Sequence, residues 1–465
     1  MRASRNIGAA LVLLALVAIS PTAGAATPAV VVTFADPAGQ VSGPAFMTRG
    51  PDGAIWFTNS GTTNNIGRIT TAGSITTFTD PTGTLVQPNW ITTGPDGALW
   101  FTAGNYPDSS SVGRITTAGD MTVFPISSPG QHPDGIAVGA DGALWFGGYN
   151  AIRRMTTDGT VTTFDHNLGG VSGVARGSDG AIWFGLQEVN TIGRITTSGS
   201  ITSFSVPDGL GTTGLVLGPD GAIWAADSGS SQIDRITTTG AVTTYPRTDG
   251  IPGSATDITV GADGALWFTN GETVGRITTA GVTTMFEMPS IVDLTEGIAS
   301  GADGAIWFSS TRNHRIARMT LPPGEPTVTS VTASGDSATV TWIAGPGGPV
   351  TNYTVTASPG GGSCSVTGPP LSCTINGLTP GTPYTFAVAA SGPGGTTVSP
   401  GSPGATTTPT TTPTTAPTTV GTPSRIAHTG VSEGTQWLAG IGALWIGLGL
   451  IAMRASRRDQ QLTNR

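Results

Sequence analysis

The phrase Gly-x-Asp-Gly-Ala-(Ile/Leu)-Trp occurs seven times in this chain, with its tryptophans at Trp56, Trp100, Trp145, Trp183, Trp224, Trp267 and Trp307. The copies are spaced 38 to 45 residues apart. Repetition at this period marks modules that cannot bury their apolar faces alone and must pack against neighbours, so counting repeats counts modules. Seven modules of strand-like sequence predict a seven-bladed β-propeller.

Composition points the same way. With 70 Gly, 34 Pro and 10% charged residues, the 465-residue chain is rich in turn formers and poor in helix formers, which predicts an all-β protein. All twenty basic residues are Arg. A net charge of −8, with the only basic cluster at Arg454, Arg457 and Arg458, leaves nothing to neutralise a phosphate backbone, so a nucleic-acid partner is excluded. Without lysine there is no amine for Schiff-base catalysis. The chain is expected to act as a monomer.

Both ends read as addresses. Arg2 and Arg5 precede an apolar run from Ile7 to Ile19, and Ala23-Gly24-Ala25 is the small-x-small pattern of a signal-peptide cleavage site, so residues 1–25 are expected to be removed on export. Near the other end, Ile426-Ala-His-Thr429-Gly430 stands before an apolar run, residues 437–453, and an arginine tail. Over residues 426–458 this order resembles a sortase cell-wall sorting signal, with Ile where the pattern has Leu. The resemblance implies cleavage between Thr429 and Gly430 by a sortase and attachment to the wall. The other reading is an uncut single-pass anchor, the helix 437–453 spanning the membrane and its basic tail inside. Either way the protein is expected at the cell surface. Residues 406–425, mostly Thr and Pro, read as an extended stalk, at roughly 3.1 Å per residue.

Residues 325–405 resemble a fibronectin type III domain. Val328–Val331, Ala338–Trp342 and Asn352–Val355 read as strands, and Gly377-Leu378-Thr-Pro380 followed by Tyr384-Thr-Phe386-Ala-Val388 matches the stretch that supplies a core leucine and a corner tyrosine. Cys364 and Cys373, the only cysteines, lie inside it. In an exported chain they are expected to pair and staple a hairpin.

Over residues 28–321 each repeat divides into four strands. In the second these are Trp90–Thr93, Ala98–Thr102, Val112–Thr116 and Met121–Phe124. The last repeat runs from Met319 into Leu321-Pro-Pro-Gly without a fourth strand, whereas Val30–Phe34 has fourth-strand character. The N-terminal strand is therefore expected to complete the seventh blade and close the ring, removing an open edge.

A residue found in all seven copies belongs to the blade, whereas a binding site should appear as a departure. By that rule the turn aspartates Asp52, Asp96, Asp141, Asp179, Asp220, Asp263 and Asp303 are turn formers bonding their own backbone. Arg68, Arg114, Arg154, Arg194, Arg235, Arg276 and Arg318 are expected to tie neighbouring blades together.

The combined pattern, Gly-x-Asp-Gly-x-(Ile/Leu)-Trp-Phe-Thr, then Ile-Gly-Arg-Ile-Thr-Thr-x-Gly, then Phe-x-x-Pro, is similar to the streptogramin B (virginiamycin B) lyases. That resemblance implies a seven-bladed propeller and Mg²⁺-dependent opening of a cyclic depsipeptide by elimination. It further implies a histidine base at the start of a first strand, in Pro-His-Gly-Ile, with one metal-holding glutamate two residues earlier and another at the end of Trp-Phe-Thr-Glu. In this chain the paired positions are Ala45/Asn59, Asn89/Ala103, Asp134/Gly148, Ser172/Leu186, Thr213/Asp227, Thr256/Asn270 and Glu296/Ser310. None is a histidine, and no glutamate follows a Trp-Phe-Thr. A base titrating near neutrality and a carboxylate-held metal are not assembled there. The nearest substitute is His132, two residues before Asp134.

Two functions follow. One is a wall-displayed binding or adhesion module whose mouth, with Asp134, Asp227, Glu296, Asn59, Asn89 and Asn270, takes a polar ligand such as a glycan, a peptide or a wall component, without a cofactor. The other is an extracellular enzyme, either a diverged lyase using Mg²⁺ or a carbohydrate-active enzyme, with His132 as its catalytic candidate.

Overall fold

The computed structural model describes residues 15–19, 29–36, 38–105, 109–126, 132–187, 189–207, 211–230, 232–246, 254–292, 295–345, 347–402 and 405–406. The sorting signal with Thr429 and Gly430, the anchor helix 437–453 and residues 407–425 of the stalk lie outside them. Among the described residues every regular element is a strand, and no helix is long and apolar enough to cross a membrane.

Seven four-stranded antiparallel blades form the propeller. Blade 2 shows the plan: Pro88–Thr93, Leu99–Ala103, Ser111–Ile115 and Met121–Pro125 pair in sequence order from the channel outward. The inner strand of each blade packs beside the next, and the last, Ile298–Ser300, returns to the first, Pro44–Arg49, so the ring is closed. Blades 3 and 4 share one sheet because a single strand, Val161–Arg176, is the outer strand of one and the inner strand of the other. In blade 3 the second and third strand positions also fall on one element, Leu144–Met155, with Asn150 at φ +55° at its middle.

The N-terminal strand completes blade 7. Ala29–Ala35 pairs with Arg315–Thr320, Val30 opposite Thr320 and Phe34 opposite Ile316. Ala15–Ile19, inside the stretch expected as a signal peptide, pairs with Ala29–Thr33 as a fifth strand outside it.

Each blade is built around its tryptophan, which is at most 1% exposed in every copy. Burying a side chain of roughly 200 Å² is worth about 5 kcal/mol, so seven such anchors dominate the apolar core. An outer-strand aromatic stacks on each one at 5.3 to 5.6 Å between ring centroids: Phe78, Phe124, Phe164, Phe204, Tyr245, Phe286 and, on Trp307, Phe34. Phe34 also lies against Gly73 of blade 1, where a Cβ would meet the ring at 2.4 Å. The aromatic therefore bridges two blades, and at the seam it is supplied from the far end of the chain.

The fibronectin-type sandwich has two sheets. One contains Gly324–Ser334, Ser337–Gly345 and Ser372–Asn376, and the other Ser363–Val366, Asn352–Ser358, Pro383–Gly392 and Gly395–Val398. Trp342, Leu378 and Phe386 lie in its core, and the Tyr384 hydroxyl accepts the Thr379 N–H at 3.0 Å, which is the corner arrangement. Cys364 and Cys373 are disulfide-bonded. Their strands belong to different sheets and do not pair, so the bond joins the two layers of the sandwich instead of stapling a hairpin.

Candidate functional site

The two ends of the inner strands have different chemistry. At the end holding the Gly-x-Asp-Gly turns, each turn aspartate accepts the indole N–H of its tryptophan through Oδ1 at 2.9 to 3.3 Å. Through Oδ2 it accepts the guanidinium Nε–H of the third-strand arginine at 2.5 to 2.7 Å. These arginines therefore brace their own blade, a correction to the expectation that they join neighbours. The cause is register: Trp56 stands opposite Arg68 and Trp100 opposite Arg114, which puts each guanidinium beside its own turn. Burial raises the Asp52 carboxyl, but the bonds from Arg68 and Trp56 outweigh it and hold it below the usual range. The same balance lowers Asp96, Asp141, Asp179 and Asp220.

The opposite end carries the sequence departures. There a cavity of about 320 Å³ is lined by His132, Asp134, Gly148, Tyr149, Gly170, Val171 and Gln187. The two-residue turn of blade 3 brings Tyr149 to its rim, 51% exposed. His132 donates from Nε2 to the Gly104 carbonyl at 2.6 Å, a carbonyl being only an acceptor, which leaves Nδ1 as the nitrogen for other work. Asp134 accepts Asn89 Nδ2 at 3.2 Å and its neighbour's Gly135 N–H on Oδ1, and Gln187 Nε2 at 3.2 Å on Oδ2. Burial pushes its carboxyl up to about 6, against the charge of His132 and bonds from Gly135, Trp90 and Gln187. Three blades thus meet on one carboxyl group.

The structure brings His132, Asp134 and Asn89 together and places the other sequence candidates elsewhere. Asp227 is fully buried and accepts the Gly229 and Ser230 N–H groups of its own loop at 2.9 Å each. Glu296 takes a bond from Thr311, and burial raises its carboxyl. Asn59 and Asn270 are fully buried, donating to Asn65 Oδ1 and to Thr273 Oγ1 of their own blades. Among the described residues no three His, Cys, Asp or Glu side chains gather as metal ligands. His314, whose Nδ1 accepts the Gly43 N–H at 2.8 Å, stitches blade 7 to blade 1.

Sequence reasoning missed Gln187, Tyr149 and Trp90. For Trp90 the signal was present one place further along each inner strand, where the copies read Phe46, Trp90, Gly135, Gly173, Gly214, Asp257 and Gly297. A Cβ on Gly135 would lie 1.9 Å from the Ser172 carbonyl and one on Gly173 2.0 Å from that of Thr213, so adjacent backbones touch there. Phe46 and Trp90, on blades 1 and 2, have side chains at that place and stack at 3.8 Å.

The virginiamycin B lyase family profile matches residues 24–168 and 148–342, and the fibronectin type III profile matches 321–405. A streptogramin B lyase structure is 28% identical, covering 63% of this chain and 97% of that one, at a TM-score of 0.57. A catalytically inactive histidine-to-alanine variant of virginiamycin B lyase from Staphylococcus aureus, with quinupristin, is 30% identical, covering 63% and 99%, also at 0.57. The WD40 propeller domain of Doa1, 12% identical at 0.50 and covering 66% and 97%, shares the fold alone. No curated protein matches.

Proposed function

The chain belongs to the virginiamycin B lyase family, and from that premise we propose that its propeller is a non-catalytic receptor, holding a hydroxyl-rich glycan in the pocket of His132, Asp134, Tyr149 and Gln187. One observation carries this reading: an exposed aromatic face stands at the rim of a polar cavity whose carboxyl, amide and imidazole groups converge. Flat apolar rings and planar polar side chains together suit a ring bearing hydroxyls. In the S. aureus relative, the loss of one histidine accompanies a catalytically inactive protein. Here Asp134 stands at the start of an inner strand, in Pro-Asp-Gly-Ile, where that family has Pro-His-Gly-Ile. Its carboxyl is already engaged by three residues.

The test is calorimetric titration of the purified protein with a panel of neutral and wall-derived oligosaccharides. Binding by at least one, weakened tenfold or more in Tyr149→Ala and Asp134→Ala, is expected. A panel that gives no binding refutes the reading.

A second reading rests on the same carboxyl group. A carboxyl near 6 beside an imidazole is an acid–base pair, so an enzyme acting outside the cell is the alternative. Ring opening of quinupristin in the presence of Mg²⁺, lost in His132→Ala, would establish it and overturn the receptor.

Export and wall attachment belong to the same proposal. The expected mature protein begins after Ala25 and ends at Thr429, joined to the wall, with the membrane-anchored form as the alternative. N-terminal sequencing tests the first cut. Thr429→Ala is expected to make the protein extractable from walls by detergent, and unchanged resistance would reject sortase.

A further inference from the structure

At the other end of the inner strands lies a cavity of about 750 Å³, bounded only by propeller residues between Phe46 and Ser300. Its rim is formed where each inner strand runs into its Gly-x-Asp-Gly turn. The seven copies have Arg49, Thr93, Val138, Arg176, Leu217, Val260 and Ser300 at that place. Five neutral residues show that the blade requires no charge there. Arginine at the other two is therefore a departure from the repeat of the same kind as Asp134.

Arg49 and Arg176 belong to blades 1 and 4, on opposite sides of the channel, and both line the cavity. The third-strand arginines each meet a turn aspartate. Among the described residues no carboxylate pairs with Arg49 or Arg176, and both side chains are exposed. Two like charges facing one space in a protein of net charge −8 attract an anion into it. A guanidinium presents a planar fork of donors that fits carboxylate, phosphate or sulfate oxygens. Around the walls Thr48, Thr92, Thr259 and Ser300 add hydroxyl donors.

The floor does not oppose a negative ligand. Its one carboxyl, Asp257, accepts the Ile258 N–H at 2.9 Å and the Ile298 N–H at 3.0 Å. Burial pushes this group up to about 7, so much of its charge is absent near neutrality. Trp90, stacked on Phe46, lines the same cavity and offers an aromatic surface.

We propose that this mouth is a second binding site, for a small anionic ligand clasped between Arg49 and Arg176, separate from the pocket of His132 and Asp134. The ligand class is a carboxylate, phosphate or sulfate, alone or carried on a sugar ring that reaches Trp90.

The experiment titrates inorganic phosphate and glucose 6-phosphate into the full chain by calorimetry, at ionic strength held constant with sodium chloride. Saturable binding of at least one probe is expected. In the double variant Arg49→Thr, Arg176→Val it should weaken about tenfold or more, while Tyr149→Ala leaves it unchanged. Both replacements are residues that blades 2 and 3 already use at the same place, and matching circular dichroism melts confirm folding. Tighter binding of the sugar phosphate assigns the anion to a larger ligand; equal binding assigns it to the anion alone. Absence of saturable binding by both probes, or binding that the double variant does not alter, overturns the proposal.

Discussion

Replacing Phe34 by alanine should open the ring at its seam. Phe34 is 4% exposed, stacks on Trp307 at 5.4 Å and lies against Gly73 of the next blade, so truncation removes contacts to two blades. A phenylalanine-to-alanine change at such a site costs about 3 to 5 kcal/mol, of which aromatic stacking is about 1 kcal/mol. Phe204→Ala is the control, because Phe204 has the same stack on Trp183, at 5.3 Å, and the same neighbour, Gly240, but its strand is continuous with its own blade. Urea unfolding should give Phe204→Ala the smaller loss, because Phe204 is only half-buried. Hydrogen exchange should separate them: only Phe34→Ala should speed exchange across Arg315–Thr320, which loses a paired neighbour when Ala29–Ala35 detaches. A loss below about 1 kcal/mol, or unaltered protection of Arg315–Thr320, would refute the argument that this strand closes the propeller.

Three further outcomes are expected. Asp220→Ala removes the acceptor of both Trp224 and Arg235 and should cost about 2 kcal/mol by denaturant titration, with Asp220→Asn intermediate. Burial raises Asp234 to about 6 and Asp257 to about 7, so the fold holds protons that the unfolded chain releases near 4; stability from these groups is complete below about pH 4 and declines until about pH 7. Melting temperature should fall across that window, and Asp257→Asn should flatten the slope. Cys364→Ser with Cys373→Ser should lower the stability of the sandwich by about 2 to 3 kcal/mol, seen by calorimetry as a lower transition for that domain.

The repeat made the propeller and its seam legible, because turn residues, alternating apolar positions and the tryptophan anchor are local and recur in register, and the sandwich was legible from the stretch Gly377 to Val388 that holds its core leucine and corner tyrosine. Side-chain partners were less so. Arg68 reads as a tie between blades until the opposition of Trp56 and Arg68 is known, since strand register decides which turn a guanidinium reaches. Asp134, Asp227 and Glu296 look equivalent in sequence, all at one end of a blade. Only Asp134 faces the pocket, because Asp227 turns back on Gly229 and Ser230 and Glu296 meets Thr311. Gln187 escaped notice because it reaches Asp134 from another blade, 53 residues away. Asp234 illustrates compensation between strands. It stands where four other blades have a third-strand glycine, Gly67, Gly113, Gly193 and Gly275, packed against a phenylalanine, and its cross-strand neighbour is Ala225, which leaves room for the carboxyl.

The seam also sets how the protein would carry load. The chain leaves the propeller from Arg315–Thr320, a strand held by six registered residue pairs on the side of Ala29–Ala35 and five on the side of Ile306–Ser310. Tension applied beyond Thr320, with a ligand gripped at the opposite end of the blades, runs along this strand. Both ladders are then strained in shear, and their bonds resist together instead of peeling one at a time. A propeller closed by its own N-terminus in this way hands such a load to a strand that is paired along its length on both sides.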